Sequence, residues 1–194
     1  MSRNAITREL KTQATILGSF VSTFWVVEIL DRFVFRNRLD IFGIIPRTFI
    51  GLRGLLFAPF LHGGFPHLIA NTVPFLVLGW LVMLQETSDF FIVTLFTMAV
   101  GGLGVWLFAV PGSVHIGASI LIFGYLGFLL FRGYFQRNLP SIALSIIVGV
   151  MYGSLVWGVL PTDPRISWQG HLFGFLGGVL AASAIAKEKR VYGK

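Results

Sequence analysis

Between Ala14 and Ala186 the chain is a succession of long apolar runs separated by short connections rich in Pro, Gly and charge, and this alternation leaves few folds open. A helical bilayer crossing takes about 20 apolar residues, so 194 residues accommodate six spans and no second soluble domain. The residues are 55% hydrophobic and only 12% charged, about half the charged fraction usual for soluble domains. The chain therefore reads as an all-α, polytopic integral membrane protein. Residues 1–13 form a polar N-terminal tail, 14–186 one membrane domain and 187–194 a basic tail.

The formal charge of +7 raises the question of nucleic acid. The basic residues lie in loops and tails, where they orient a membrane protein, so the bilayer is the partner and nucleic acid is not. The absence of Cys excludes disulfides, structural thiolate zinc sites and a Cys nucleophile. The charged stretch Met1 to Lys11 before an apolar run is similar to a signal peptide. No small-residue cleavage site follows, and the run is read as a retained first span.

The spans are expected at about Ala14–Leu30, His67–Leu84, Phe90–Val110, Ile116–Arg132, Ser141–Leu160 and Trp168–Ala186. The long connection from Phe33 to Pro66 mixes Arg36, Arg38, Arg47 and Arg53 with apolar residues and carries Pro46 and Pro59. It is too broken to cross a bilayer and reads as a loop with short amphipathic helices in the interface. Pro74 should bend the second span. The fourth is too short to cross straight, so its start should lie below the membrane surface. Arg132 to Pro140 reads as a basic loop, and Pro161-Thr162-Asp163-Pro164-Arg165 as a rigid turn. Six spans put both termini on one side. That side carries Arg3, Arg8, Lys11, Arg132, Arg137, Lys187, Lys189, Arg190 and Lys194 against six basic residues opposite, which places both termini in the cytoplasm.

This topology brings three polar motifs to the same outer level. They are His62 to Asn71 at the start of the second span, Gly117-Ala118-Ser119-Ile120 at the top of the fourth, and Gly170-His171 in the first turns of the sixth. Burying an unpaired hydroxyl or imidazole in apolar surroundings costs on the order of 2 to 7 kcal/mol, so such residues need partners or a task. Taken alone, Ser119 would bond back to a carbonyl one turn earlier and His171 would be a packed ring with one hydrogen bond. Taken together they are the minimum for acyl transfer: Ser119 as nucleophile and His171 as its base. The oxyanion donors are the Ser119 N–H at a helix start and the side chains of His67 and Asn71, which share a helix face. All eight acids lie in loops, tails or span ends, so a dyad is expected, its imidazole oriented by rings or backbone. Gly170, Gly174 and Gly178 on the sixth span, with Gly124 and Gly127 on the fourth, should let those two helices approach closely.

With these residues in view, the chain resembles the rhomboid family of intramembrane serine proteases, in the six-span bacterial form. The resemblance rests on His62, His67 and Asn71, on Gly117 and Ser119, and on His171, Gly174 and Gly178, in that order and spacing. It implies a fold with a long interfacial loop between helices 1 and 2 and a fourth helix that starts at the bottom of a water-filled cavity. It implies cleavage of single-span membrane proteins at or near the membrane boundary, without cofactor or metal, in a bacterial inner membrane. The fifth span and the turn before Trp168 would correspond to the family's substrate gate.

Ile120 stands where the family usually has Gly, beside the nucleophile, and is expected to narrow the site or push helices apart. Phe123 stands where some members carry a Tyr that packs on the catalytic His, and keeps the ring. A catalytically weak or inactive relative that binds membrane clients is the alternative that Ile120 motivates. A transporter or channel would need charges or broken helices at the midplane of several spans, whereas the polar cluster is read at the outer third only. His62 and His115 read as structural or interfacial. Zinc at His62 and His67 lacks an acidic third ligand. Glu28 is expected to snorkel to the interface or to pair with an Arg of the first connection.

Overall fold

A computed structural model describes residues 3–163 and 166–192. Pro164 and Arg165 of the turn before Trp168, and the last two residues of the basic tail, lie outside the described residues. The described residues form seven α-helices: α1 (Arg3–Leu30), α2 (Gly54–Phe57), α3 (Phe65–Met83), α4 (Thr87–Phe108), α5 (Ser119–Gln136), α6 (Leu139–Tyr152) and α7 (Trp168–Tyr192). Among them, α1, α3, α4, α5, α6 with its 3₁₀ extension, and α7 are six helices long and apolar enough to cross a membrane. The fold is the six-span all-α architecture expected from hydropathy.

Local chemistry sets the helix ends. Pro66 sits in the first turn of α3, where a missing N–H costs nothing, just after Gly64 at φ +117°. Asn138 caps α6 by accepting a hydrogen bond from the Ser141 N–H at 2.9 Å, and Ser167 Oγ accepts from the Gly170 N–H at 3.2 Å at the start of α7. At the other end of α1 the helix widens into a π-turn, Asp31–Phe35, and Arg36 stops it in the left-handed region at φ 56°. The long connection then folds into 3₁₀ turns and the short α2, leaving Phe49, Ile50, Leu56 and Phe57 exposed.

Helix α5 is the axis of the bundle, with 67% of its residues buried against 11% for the fifth span. Its Tyr125 packs on Phe75 of α3 and Phe90 of α4, and donates its hydroxyl to Thr94 Oγ1 at 2.8 Å. Between α5 and α7, Gly174 lies on the Ile120 carbonyl, Gly178 on that of Gly124, and Gly127 beneath that of Phe175, so a Cβ at any of the three would strike backbone. The other two glycines fall elsewhere. Gly124 makes room for Thr97 of α4, and Gly170 lies beside Ser167 and Val105.

Two charged residues depart from their sequence reading. The fourth span does not stop at Arg132: α5 continues to Gln136, and Arg132 is a fully buried side chain. Its guanidinium meets Asp89 of α4 at 2.8 Å, Gln85 at 2.6 Å, the Val82 carbonyl at 3.3 Å and Gln136 at 3.1 Å. Ser141 of α6 joins through Gln85 and Gln136, so one cation ties four helices together. A planar five-donor group is suited to this, and bundling the acceptors offsets its desolvation. Among the described residues Glu28 neither snorkels nor pairs with an Arg of the first connection: it is 3% exposed and its Oε2 has no hydrogen-bond partner.

Candidate active site

The first connection builds the platform on which the N-terminal end of α5 rests. Ile44 and His115 exchange backbone hydrogen bonds at 3.0 Å each, as an isolated antiparallel bridge. The Gly117 N–H donates to the Ala58 carbonyl at 2.9 Å, and Trp106 Nε1 to the Thr48 carbonyl at 2.8 Å. Residues 109–118 are thereby pinned before the chain turns into α5. Gly117 makes that turn at φ +119°, a conformation that L side chains rarely adopt, and a Cβ there would come within 2.7 Å of the His67 ring. Ser119 follows as the first residue of α5, where backbone N–H groups lack intrahelical acceptors.

Ser119, His171, His67 and Asn71 line one cavity of about 820 Å³, shared with Phe123 and Trp168 among others. The Gly63 N–H donates to His67 Nδ1 at 3.3 Å, so a neutral His67 carries its proton on Nε2, the edge that lies over Gly117. Asn71 is 5% exposed and spends one amide hydrogen on the His67 carbonyl at 2.8 Å. The second hydrogen remains to serve the cavity. Ser119 and His171 share the cavity with no hydrogen bond between them within 3.5 Å. The arrangement offers a hydroxyl, an imidazole and two side-chain donors around one cavity. That is chemically competent for acyl transfer.

The His171 ring is held on two sides. Phe123 stacks on it at 4.0 Å with an interplanar angle of 8°, and Nδ1 lies 2.8 Å from the Gly158 carbonyl. Gly158 was not marked by the sequence: no motif distinguishes it, and it is reached only through the 3₁₀ stretch Gly153–Val159 that extends α6. A hydrogen-bonded chain at the rim also escaped sequence reading. Ser113 Oγ and Ser167 Oγ flank His115 at 2.8 and 2.6 Å, tying the loop before Ser119 to the residue that caps α7. The only sequence signal for Ser167 was its place just ahead of a helix.

His62 lies behind the site, 2% exposed, with its ring 5.3 Å from that of His67 and 5.5 Å from that of Phe24. Burial, assisted by nearby His67, pushes its pKa down to about 3. The folded protein thus refuses a proton that the unfolded chain accepts below the ordinary value of 6.5, so stability falls as pH drops from about 6.5 towards 3, by up to about 1.4 kcal/mol per unit. His115, also lowered by burial, adds in the same direction. Asp40, raised by burial to about 6, acts oppositely, its contribution fading as pH rises through that value. Thermal unfolding in detergent at pH 7, 6 and 5 should show this loss, and His62→Phe should flatten part of the slope. An unchanged slope in that variant would remove His62 from the account.

A family model for the Rhomboid domain matches residues 51–188. This chain belongs to the rhomboid family. It is 42% identical over 184 residues to the uncharacterised protein Rv1337 of Mycobacterium tuberculosis, covering 91% of this chain and 76% of that one. It is 31% identical over 136 residues to the Bacillus subtilis rhomboid protease GluP, covering 66% of this chain and 25% of that protein. Bacillus subtilis YdcA, whose name assigns it provisionally to the rhomboid proteases, is 31% identical over 136 residues, 68% of this chain and 67% of its own.

Within this rhomboid, Ile120 does not narrow the cavity and does not force helices apart. Its side chain is 5% exposed and lies on Gly101 of α4 and Gly174 of α7, in a hollow that a Cβ on Gly101 would fill. Ile120→Gly should therefore cost about 3 to 5 kcal/mol, from the lost side chain and the flexible backbone together. It should not raise activity. Melting temperatures and turnover of the two proteins check this, and a stable, faster variant would contradict it.

Proposed function

We propose that this rhomboid is an intramembrane serine endopeptidase cleaving single-span membrane proteins at or near the membrane boundary. The observation that carries the proposal is that Ser119, His171, His67 and Asn71, from three helices, line one cavity. Ser119 Oγ adds to the scissile carbonyl carbon while its proton passes to His171 Nε2. The developing oxyanion is met by the Ser119 N–H and the side chains of His67 and Asn71, one such donor being worth roughly 3 to 4 kcal/mol. His171 then protonates the leaving amine, and a water that gives its proton to the same nitrogen releases the acyl group from Ser119. Gly117, Gly174 and Gly178 serve by letting backbone and rings approach where a side chain would intrude. The chemistry calls on no metal or cofactor.

In this reading residues 14–186 act as one membrane domain in a bacterial inner membrane, with both tails in the cytoplasm. Fluorophosphonate labelling in micelles tests the activated hydroxyl, since an ordinary Ser does not react. Incubation with a single-span protein followed by mass spectrometry of the fragments tests the reaction. Labelling at Ser119 and a cut near one membrane boundary are expected. No label and no fragment would overturn the proposal in favour of a client-binding relative.

A further inference from the structure

Four places ahead of each reacting residue stands a member of one hydrogen-bonded chain, His115 before Ser119 and Ser167 before His171. Counting protons gives the chain its direction. Ser113 donates its one hydroxyl hydrogen to the Val110 carbonyl at 2.5 Å, so towards His115 Nε2, 2.8 Å away, it accepts. A neutral His115 therefore carries its proton on Nε2 and a lone pair on Nδ1. Ser167 donates its hydroxyl to that Nδ1 at 2.6 Å, while its oxygen accepts from the Gly170 N–H at 3.2 Å. Both ring nitrogens are spent, so His115 is neither a second base for Ser119 nor a ligand for substrate.

Each end of the chain is anchored to backbone that the chemistry uses. On one side His115 exchanges two backbone hydrogen bonds with Ile44, and the Gly117 N–H rests on the Ala58 carbonyl, which fixes the loop that delivers Ser119. On the other side the Ser167 carbonyl accepts the His171 N–H at 3.1 Å, so Ser167 holds the first turn of α7 through backbone and side chain together. The contacts of α5 with α7 begin at the Ile120 carbonyl and Gly174 and continue through Gly178 and Gly127. Such a glycine seam sets how near the helices come, but offers no side chain to key one against the other. Ser119 and His171 do not hold each other either, having no hydrogen bond within 3.5 Å. His115 and Ser167 supply the key at the mouth of the cavity. The chain takes in no residue of the fifth span, so it keeps the base in register independently of that span.

We propose that His115 is a positioning residue for Ser119 and His171, acting through Ser167 to hold the start of α7 in register with the loop that delivers the nucleophile. This rests on the protease reading above. An imidazole suits the task because its two nitrogens lie on opposite sides of a rigid ring, so one side chain bridges a loop hydroxyl and a helix-capping hydroxyl at once. With the link cut, hydroxyl, base and cavity all remain, but the reacting atoms lose their mutual alignment, and a misplacement of about 1 Å costs on the order of 100-fold in rate.

Two amide variants separate the two nitrogens. In His115→Asn the side-chain oxygen stands near the place of Nδ1 and accepts from Ser167, whereas in His115→Gln the amide nitrogen replaces Nε2 towards Ser113 and the Ser167 bond is lost. Turnover is counted per site titrated with fluorophosphonate, so that unfolded protein, the whole effect of a merely structural histidine, drops out. Per-site kcat is expected to fall on the order of 10- to 100-fold in His115→Gln and Ser167→Ala, with KM within about twofold, and to stay within about threefold of the parent in His115→Asn. His115→Gln combined with Ser167→Ala should lose little more than either alone, since both cut one link. Read without substrate, the ¹⁵N spectrum of His115 should show its proton on Nε2, and Ser167→Ala should shift the Nδ1 resonance. Unchanged per-site kcat in His115→Gln and Ser167→Ala, or equal losses in the Asn and Gln variants, would overturn the proposal alone. An unaltered protein that takes no fluorophosphonate label would overturn the protease reading and the proposal with it, so the two failures are distinguishable.

Discussion

Ser119→Ala is expected to abolish cleavage of a single-span substrate while the protein still folds, a loss on the order of 10⁶ in kcat by comparison with nucleophile removal in soluble serine proteases. His171→Ala should cost about as much, and the double variant little more than either, because nucleophile and base act as one unit. The Ser119 change should leave the melting temperature nearly unmoved, since the residue anchors no structural hydrogen bond and the first turn of α5 is held through Gly117 and Ala118. Losing His171 also removes the partner stacked on Phe123, so a modest fall in stability should accompany its loss of activity. Fragment yield by quantitative mass spectrometry, measured beside circular dichroism of the same preparations, separates the two effects. Undiminished cleavage by Ser119→Ala would end the serine mechanism for this chain.

Arg132→Ala is expected to match Ile120→Gly as the most destabilising single change away from the cavity. It would strand Asp89, 1% exposed, as a carboxylate with its cation removed, along with Gln85 and Gln136. Breaking a buried pair from one side costs about 3 to 5 kcal/mol, because the surviving charge keeps its desolvation penalty and loses its compensation. Arg132→Lys should rescue only part, since one ammonium cannot reach acceptors on α3, α4 and α5 together. Arg132→Met combined with Asp89→Leu should recover much of the loss, because removing both charges removes the penalty as well as the bond. Equilibrium unfolding in mixed micelles gives the three values. If Arg132→Ala unfolds within 1 kcal/mol of the parent, the network carries little of the stability.

Much of this architecture was legible from hydropathy because a bilayer leaves a backbone few choices: in hydrocarbon each N–H and C=O must be satisfied within its own segment, so a long apolar run is a helix. Boundaries were less secure. Arg132 looks like a loop cation in isolation, since nothing local announces that Asp89, 43 residues earlier, will meet it at 2.8 Å. Ile120 looked like an obstruction for the same reason. The bulk of a side chain is known from its letter, but the hollow over Gly101 that receives it is made by α4 and α7, neither adjacent in the chain.

The sequence by itself determined the six spans, the common level shared by three polar motifs, and the choice of Ser119, His171, His67 and Asn71 as the residues worth finding together. These follow from local quantities: apolar length, helix periodicity, and the cost of an unpaired polar group in lipid. Only the tertiary structure decided that the four side chains line one cavity, that the first connection holds the loop before Ser119 through Ile44 and Ala58, and that a carbonyl from the far end of the fifth span meets His171. A backbone acceptor leaves no letter in the sequence, because every residue has one. Which carbonyl reaches the imidazole is set by how α5, α6 and α7 pack, and packing is a property of the whole chain.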